Sequence, residues 1–134
     1  MIKLKGRTIN GGSVTGKAIV LDKPFNFTGD FDSSDGRLTL QGHPLFGEKI
    51  TGKILVIPSG KGAVSASIIL YKAKENGTAP IGIICREADP LTVECAITLD
   101  IPLIDRLEKD PIDSIKNDRT VEILGDEGAV LLES

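Results

Sequence analysis

The sequence predicts a mixed α/β fold in which β-hairpin or barrel-like strands pack against a βαβαβ unit. Three short apolar runs, at residues 53–57, 80–85 and 101–104, are each typical of a strand that is buried on both faces. Helical patterns at 63–76 and 90–99 separate these runs. Because a strand that returns through a helix usually pairs in parallel with its predecessor, the second half of the chain is expected to form a parallel sheet.

The first half of the chain has the signature of strands and turns. Lys3–Ile9 and Gly16–Leu21 indicate two short strands around the glycine turn Gly11-Gly12. The stretch from Phe25 to Leu45 is rich in Gly, Asp, Ser and Pro, which predicts a long loop with one candidate strand at Arg37–Leu40. Long loops in compact domains are often functional, so this stretch is a candidate for function.

Clear start and stop signals bound the helices and the closing hairpin. Within 63–76 the apolar residues recur at spacings of three, four and seven, and Asn76-Gly77 predicts the end of the helix. Asp89-Pro90 supplies a capping side chain and a proline at the first helical position, and this helix should end near Leu99. The strands of the closing hairpin are expected at Val121–Leu124 and Ala129–Leu132.

Length and composition narrow the function classes. The 134 residues fit one domain spanning 1–134, and a core of Ile, Leu, Val and Ala is expected because aromatic residues make up only 4%. The net charge of −3 is well mixed and no basic stripe occurs, which argues against a nucleic-acid partner. The sequence shows neither an apolar leader nor a run of about 18 apolar residues, so a cytoplasmic protein without membrane contact is expected.

The candidate site lies at 58–67, between a buried strand and a helix. Its glycines let the backbone turn tightly and bring N–H groups close to a ligand. The helix start carries unpaired N–H donors and a partial positive charge, and the lysine adds a full charge, so a carboxylate or phosphate is favoured. An ordinary glycine turn with a capping serine and a solvated lysine remains the alternative. The expected substrate-binding residues are Ser59, Gly60, Lys61, Gly62 and Ala63.

Several motifs together resemble the small subunit of the aconitase X family. The resemblance covers most of the chain, from about Gly11 to the C-terminal hairpin, and its specificity lies in the combination of motifs. The matching segments are Gly42-His43-Pro44-Leu45-Phe46-Gly47, Gly52–Pro58, Gly60-Lys61-Gly62, Ala79–Ile84, Glu87–Pro90 and Asp100–Asp105.

The resemblance implies a swivelling β/β/α domain, like the mobile domain of aconitase, that forms a heterodimer with a large catalytic subunit. It also implies that the large subunit carries an iron–sulfur cluster and that this chain is inactive alone. Such a cluster needs about three thiolates, whereas the chain has two cysteines. Cys85 ends an apolar run and Cys95 lies in a predicted helix, so both are expected to be core residues. No metal or cofactor is therefore expected in this chain.

The activity implied by the resemblance is that of a hydro-lyase. In archaea, a stand-alone small chain of this kind resembles subunits that act on mevalonate 5-phosphate. The product there is trans-anhydromevalonate 5-phosphate, in a modified mevalonate pathway. Two alternatives stay open: another hydroxy acid, such as a hydroxyproline, or a non-catalytic anion-binding or regulatory module.

One departure from the family concerns the implied proton-abstracting residue. The family usually places a serine directly after the glycine–basic–glycine turn, and that position is Ala63 here. Ser65 and Ser67 lie in the same segment and are the candidate catalytic residues, with Ser65 favoured. A serine hydroxyl abstracts a proton only where the site desolvates it and stabilises its alkoxide, to which Lys61 and the helix start would contribute.

The remaining polar candidates are expected to have mainly structural roles. His43 should anchor a loop, Asp89 should cap a helix, and Arg86 should pair with a partner subunit or a phosphate. The acidic residues after Phe27 do not match the spacing of an EF-hand. A solvated acidic loop is therefore expected for Asp30, Asp32 and Asp35.

Overall fold

The computed structural model describes residues 1–61 and 66–133 and contains an eight-stranded mixed sheet. Its strands are β1 (Ile2–Lys5), β2 (Arg7–Asn10), β3 (Ser13–Val20), β4 (Ile54–Ile57), β5 (Gly82–Cys85), β6 (Leu103–Asp105), β7 (Thr120–Leu124) and β8 (Ala129–Leu132). Their order across the sheet is β1-β8-β7-β3-β4-β5-β6-β2. The four strands from β3 to β6 are parallel, and antiparallel strands flank them on both sides. The predicted parallel unit and closing hairpin are confirmed.

Four helices complete the chain. They are α1 (Phe27–Asp30), α2 (Ser67–Asn76), α3 (Pro90–Leu99) and α4 (Pro111–Ser114). Helix α3 begins and ends where the sequence predicts, and α2 ends at Gly77, which has the left-handed φ of 68° that favours glycine. Residues 63–65 of the predicted second helix lie outside the described residues. None of the helices in the described ranges is long and apolar enough to cross a membrane.

The parallel strands separate two hydrophobic cores. In β4, Leu55 and Ile57 face the core beneath α2 and α3, whereas Ile54 and Val56 face the core beneath β1, β7 and β8. Side chains alternate between the two faces of a strand, and both faces are covered here. The continuous apolar runs in the sequence follow from this burial on both faces. The resulting order of layers, antiparallel strands, central sheet and helices, agrees with a β/β/α domain.

The long loop after β3 contributes three aromatic side chains to the core. Phe25, Phe27 and Phe31 are all buried, with ring centroids 4.9 and 5.3 Å apart in edge-to-face contacts. The described core consists mainly of Ile, Leu, Val and Ala, as expected, and these three phenylalanines are an addition that the sequence did not predict. The predicted strand at Arg37–Leu40 was wrong, because only isolated bridges form there, to Phe31 and Lys49.

Gly6 joins the two edge strands of the sheet. Strands β1 and β2 lie at opposite edges of the sheet order, yet this single residue separates them in the chain. The sheet must therefore curl until its edges approach each other, which gives the barrel-like form. A Cβ atom on Gly6 would lie 2.6 Å from the backbone oxygen of Asp105 and 2.7 Å from the Leu107 side chain. The N-terminal strands also differ from expectation, since β2 pairs with β6 and β3 pairs with β4 and β7.

Replacing Gly6 by Ala is expected to lower the free energy of unfolding by about 1–3 kcal/mol, because the added methyl group overpacks the junction. Gly11→Ala is the matched control, since a Cβ atom at Gly11 meets no described atom within 4 Å. Urea unfolding of both variants measures the difference. Equal losses of stability in the two variants would contradict the proposed constraint at Gly6.

Candidate functional site

The candidate site lies at the edge of the sheet where the parallel strands end. In open parallel sheets, ligands bind beyond the carboxyl ends of the strands, since the loops that follow converge there. Four segments follow the carboxyl ends of the parallel strands, one after each of β3, β4, β5 and β6. They are residues 21–24, 58–61, 86–89 and 106–110.

Gly60 lies against the start of helix α3. Its backbone N–H donates a hydrogen bond of 2.8 Å to Oδ1 of Asp89. A Cβ atom on Gly60 would lie 2.6 Å from Oγ1 of Thr92 and 2.8 Å from both carboxylate oxygens of Asp89. Glycine is therefore required here by the close approach of a carboxylate.

Asp89 serves two elements at once. The Thr92 hydroxyl donates to Oδ1 at 2.6 Å and the Thr92 backbone N–H donates to Oδ2 at 3.2 Å, which caps α3 as the sequence predicts. Partial burial raises the pKa of Asp89, but the hydrogen bonds from Thr92 and Gly60 outweigh burial, so the pKa lies below its ordinary value. The carboxylate is therefore ionised at neutral pH.

Lys61 is paired with a carboxylate from the long loop. Its Nζ lies 3.1 Å from Oδ2 of Asp30, whose side chain is 11% exposed and also accepts from the backbone N–H of Asn26. The Asn26 side chain donates to the backbone oxygen of Lys61. The expectation that Asp30 belongs to a solvated loop was therefore wrong, whereas Asp32 does lie in a turn, bonded to Ser34.

The two groups that the sequence predicts to bind an anion, the Gly60 N–H and the Lys61 ammonium, are already paired with carboxylates of this chain. The Gly60 amide faces Asp89, and the Lys61 ammonium faces Asp30. Ser59 directs its hydroxyl to the backbone oxygen of Gly60 at 3.0 Å. An incoming carboxylate or phosphate would have to share Lys61 with Asp30.

Part of the predicted site cannot be placed. The substrate-binding candidates Gly62 and Ala63 and the catalytic candidate Ser65 lie outside the described residues. Ser67, the other catalytic candidate, is the first residue of α2 and is half-buried. These four assignments therefore stay predictions.

His43 borders an open cleft of about 340 Å³ that also reaches Lys61 and Lys23. Its side chain is only 6% exposed, its Nδ1 accepts from the Leu45 backbone N–H at 3.0 Å, and its Nε2 lies 3.1 Å from Oδ1 of Asp22. A neutral ring with these partners carries its proton on Nε2. The predicted role of His43 as a loop anchor agrees with these contacts.

An ion pair between the exposed Arg7 and a buried carboxylate fixes the neighbouring loop. Asp105 is fully buried and accepts two hydrogen bonds from the Arg7 guanidinium, at 3.0 and 2.9 Å, and one from the Ala88 backbone N–H at 2.8 Å. Burial raises the pKa of Asp105, but the hydrogen bonds from Arg7 and Ala88 outweigh it and hold the pKa below its ordinary value. Arg86, expected to meet a partner subunit or phosphate, pairs with Asp110 at 2.9 Å.

The two cysteines are core residues, as predicted. Burial raises the pKa of Cys85 to about 12 and that of Cys95 to about 11, so both thiols stay protonated at neutral pH. Metal and cluster ligation requires thiolates, which these surroundings disfavour. Among the described residues, His, Cys, Asp and Glu side chains do not gather into any group of three or more that could hold a metal ion. The described part of the chain thus does not fit an iron–sulfur cluster.

Sequence reasoning missed the residues that hold the site together. Asn26 and Asp30 contact Lys61 across more than thirty residues of chain, and Arg7 meets Asp105 across 98 residues. No local pattern predicts such contacts. One contact does have a signal in the sequence. Asp89 caps α3 directly after one parallel strand, and the loop after the adjacent parallel strand lies beside it. The contact between Asp89 and Gly60 is therefore consistent with the predicted sheet.

Comparisons with known proteins agree on one family. A family model described as "Aconitase X swivel domain" matches residues 3–132. The chain is 42% identical to the phosphomevalonate dehydratase small subunit of Methanosarcina acetivorans, over 98% of this chain and 91% of that one. It is similar to a crystal structure of Thermococcus kodakaraensis aconitase X in its holo-form, with a TM-score of 0.91, 37% identity and full coverage of both chains. A relative solved in solution by NMR has a TM-score of 0.87 and 30% identity, over 99% of this chain and all of the other.

Replacing Arg7 by Met is expected to lower the free energy of unfolding at neutral pH by about 1–3 kcal/mol, since the buried carboxylate of Asp105 then loses the two hydrogen bonds from its partly exposed partner. The loss should shrink as the pH falls. The wild-type carboxylate, whose pKa is depressed below the ordinary 3.8, contributes its stability above about pH 4 and loses it as the pH falls through the folded-state pKa. Urea unfolding between about pH 3 and pH 7 provides the measurement.

Arg119→Met is the matched control for this charge loss, because Arg119 is exposed and makes no ion pair with any residue in 1–61 or 66–133. It is expected to change stability by less than about 0.5 kcal/mol. A loss of stability in Arg7→Met that does not depend on pH would speak against the buried carboxylate as its cause.

Proposed function

The chain belongs to the aconitase X swivel-domain family, and from that premise we propose that it is the small subunit of a phosphomevalonate dehydratase. The proposed reaction is the removal of water from mevalonate 5-phosphate, which gives trans-anhydromevalonate 5-phosphate for isoprenoid biosynthesis by a modified mevalonate pathway. The observation that carries this proposal is the near-complete match to chains of that name.

The proposed enzyme is a heterodimer of this chain and a larger partner in the cytoplasm. The name "small subunit" borne by the relatives supports a larger partner. The surroundings of Cys85 and Cys95 support a cluster that is held outside this chain, because both thiols are buried and protonated. When bound in the partner, an iron–sulfur cluster would supply a Lewis acid for the departing hydroxyl group.

This chain would then provide a wall of the substrate site. The turn from Ser59 to Lys61 stands at the carboxyl end of a parallel strand, where loops meet ligands. Lys61 would bind an anionic end of the substrate while Asp30 keeps the ammonium group in place. Closure of the partner over this edge would exclude water and strengthen that charge interaction.

Proton abstraction is assigned to the serines of the same segment. Ser65 is the favoured residue, since Ala63 occupies the position where the family usually has the serine. The positive end of helix α2 would lower the cost of forming an alkoxide nearby. Ser67 is the second candidate and lies at the first residue of that helix.

The purified chain should be inactive on mevalonate 5-phosphate, whereas the chain combined with a large subunit and reconstituted with iron should release the anhydro product. The reason is that the described part of this chain supplies no site for the cluster. Product formation is followed by chromatography and mass spectrometry. A co-purified complex of the two chains provides the material.

A panel of hydroxy acids, including a hydroxyproline, is the control for substrate identity. Turnover of another acid in place of mevalonate 5-phosphate would reassign the substrate within the family. A stable complex without any turnover would favour the non-catalytic anion-binding or regulatory module.

Ser65→Ala is expected to lower kcat of the reconstituted enzyme by about 10²- to 10⁴-fold, the usual contribution of a positioned acid–base group. Ser67→Ala should retain most of the activity, and Ala63→Ser restores the usual family residue for comparison. Initial rates at saturating substrate measure kcat in each variant. If Ser65→Ala remains fully active while Ser67→Ala does not, the proton-abstracting role moves to Ser67.

A further inference from the structure

We infer that Asp89 is a positioning residue for the proposed reaction, one that fixes the substrate-facing turn from Ser59 to Lys61 onto helix α3. The inference rests on the proposed function for its catalytic meaning. Its structural part stands on the hydrogen bond between Gly60 and Asp89. Asp89 acts through this turn and is not itself assigned a contact with the substrate.

The two carboxylate oxygens of Asp89 have different partners. Oδ2 accepts from the Thr92 backbone N–H, which is all that a helix cap requires. Oδ1 accepts from the Gly60 N–H at 2.8 Å and from the Thr92 hydroxyl at 2.6 Å. The hydrogen bond to Gly60 joins residues that are 29 positions apart in the chain and links two separate loops. Capping of α3 does not require this bond.

The loop that carries Asp89 is bonded to the strands of the sheet. The neighbouring Ala88 donates its N–H to Asp105, which the Arg7 guanidinium fixes in the sheet. The Arg86 N–H donates to the backbone oxygen of Ile57 at 3.2 Å. The loop that carries Asp89 is thus attached to strands β4 and β6, and the carboxylate has a defined position from which to hold Gly60.

The opposite side of the turn is attached to the long loop. The Phe25 N–H donates to the backbone oxygen of Ser59 at 3.0 Å, and the Asn26 side chain donates to that of Lys61. The Ser59 oxygen and the Gly60 N–H belong to the same peptide group, so Phe25 holds one end of this group and Asp89 holds the other. Without Asp89 this peptide group keeps only its bond to Phe25, so the turn is held less firmly and the position of Lys61 is less well defined.

Two variants of the full small chain separate positioning from capping. In Asp89→Ser the hydroxyl oxygen still caps α3 but is too short to serve Gly60 as well. In Asp89→Ala both interactions are lost. With the large subunit present, we expect kcat to fall about 10- to 100-fold in both variants, the size of effect that follows from small misplacement of a binding group. Only Asp89→Ala should also unfold at a markedly lower urea concentration.

The isolated chain gives a readout that does not depend on the reaction. Hydrogen exchange followed by NMR should show a protected Gly60 amide in the wild type and at least about tenfold faster exchange in Asp89→Ser. The amides within α3 should exchange alike in both proteins, because the cap is kept.

The outcomes separate this inference from the proposed function. A wild-type complex that leaves mevalonate 5-phosphate untouched overturns the proposed function and the positioning role with it. An active wild type and an equally active Asp89→Ser overturn the positioning role alone. Unchanged exchange at Gly60 in Asp89→Ser overturns the hydrogen bond on which the inference rests.

Discussion

Gly6 connects two strands that lie at opposite edges of the same sheet, and this connection sets the curvature of the fold. Because one residue cannot span a flat eight-stranded sheet, the edges have to approach each other. The curl places β1, β7 and β8 over one face of the parallel strands and leaves the other face for the helices. It also brings Arg7, the residue after Gly6, against the buried carboxylate of Asp105.

The candidate site depends on that same junction. Arg7 neutralises Asp105, Asp105 holds the Ala88 N–H, and the adjacent Asp89 holds Gly60. Each step is a charge-assisted hydrogen bond in partly or fully buried surroundings, where such bonds are stronger than in water. A continuous set of contacts therefore extends from the closure of the sheet to the turn that is proposed to face the substrate.

The turn from Ser59 to Lys61 differs from a simple anion-binding loop, because carboxylates of the same chain already pair with its positive groups. Asp89 and Asp30 face the Gly60 amide and the Lys61 ammonium, so residues 59–61 of the turn offer an anion little unshared positive charge. The same contacts order the turn before any ligand arrives, which reduces the entropy lost on binding. An ordered and electrostatically compensated turn fits the proposal that a partner subunit completes the site.

Local signals in the sequence determined much of the architecture. Apolar runs predicted three parallel strands, Asp89-Pro90 and Asn76-Gly77 marked helix ends, and a family resemblance pointed to the aconitase X swivel domain. These features depend on neighbouring residues, whose periodicity and capping chemistry are visible in the sequence. The edge-to-edge closure at Gly6, the aromatic contribution of the long loop and the pairing of Lys61 with Asp30 were decided only by the tertiary structure. These contacts join residues far apart in the chain, and local sequence patterns do not predict which distant groups the fold brings together.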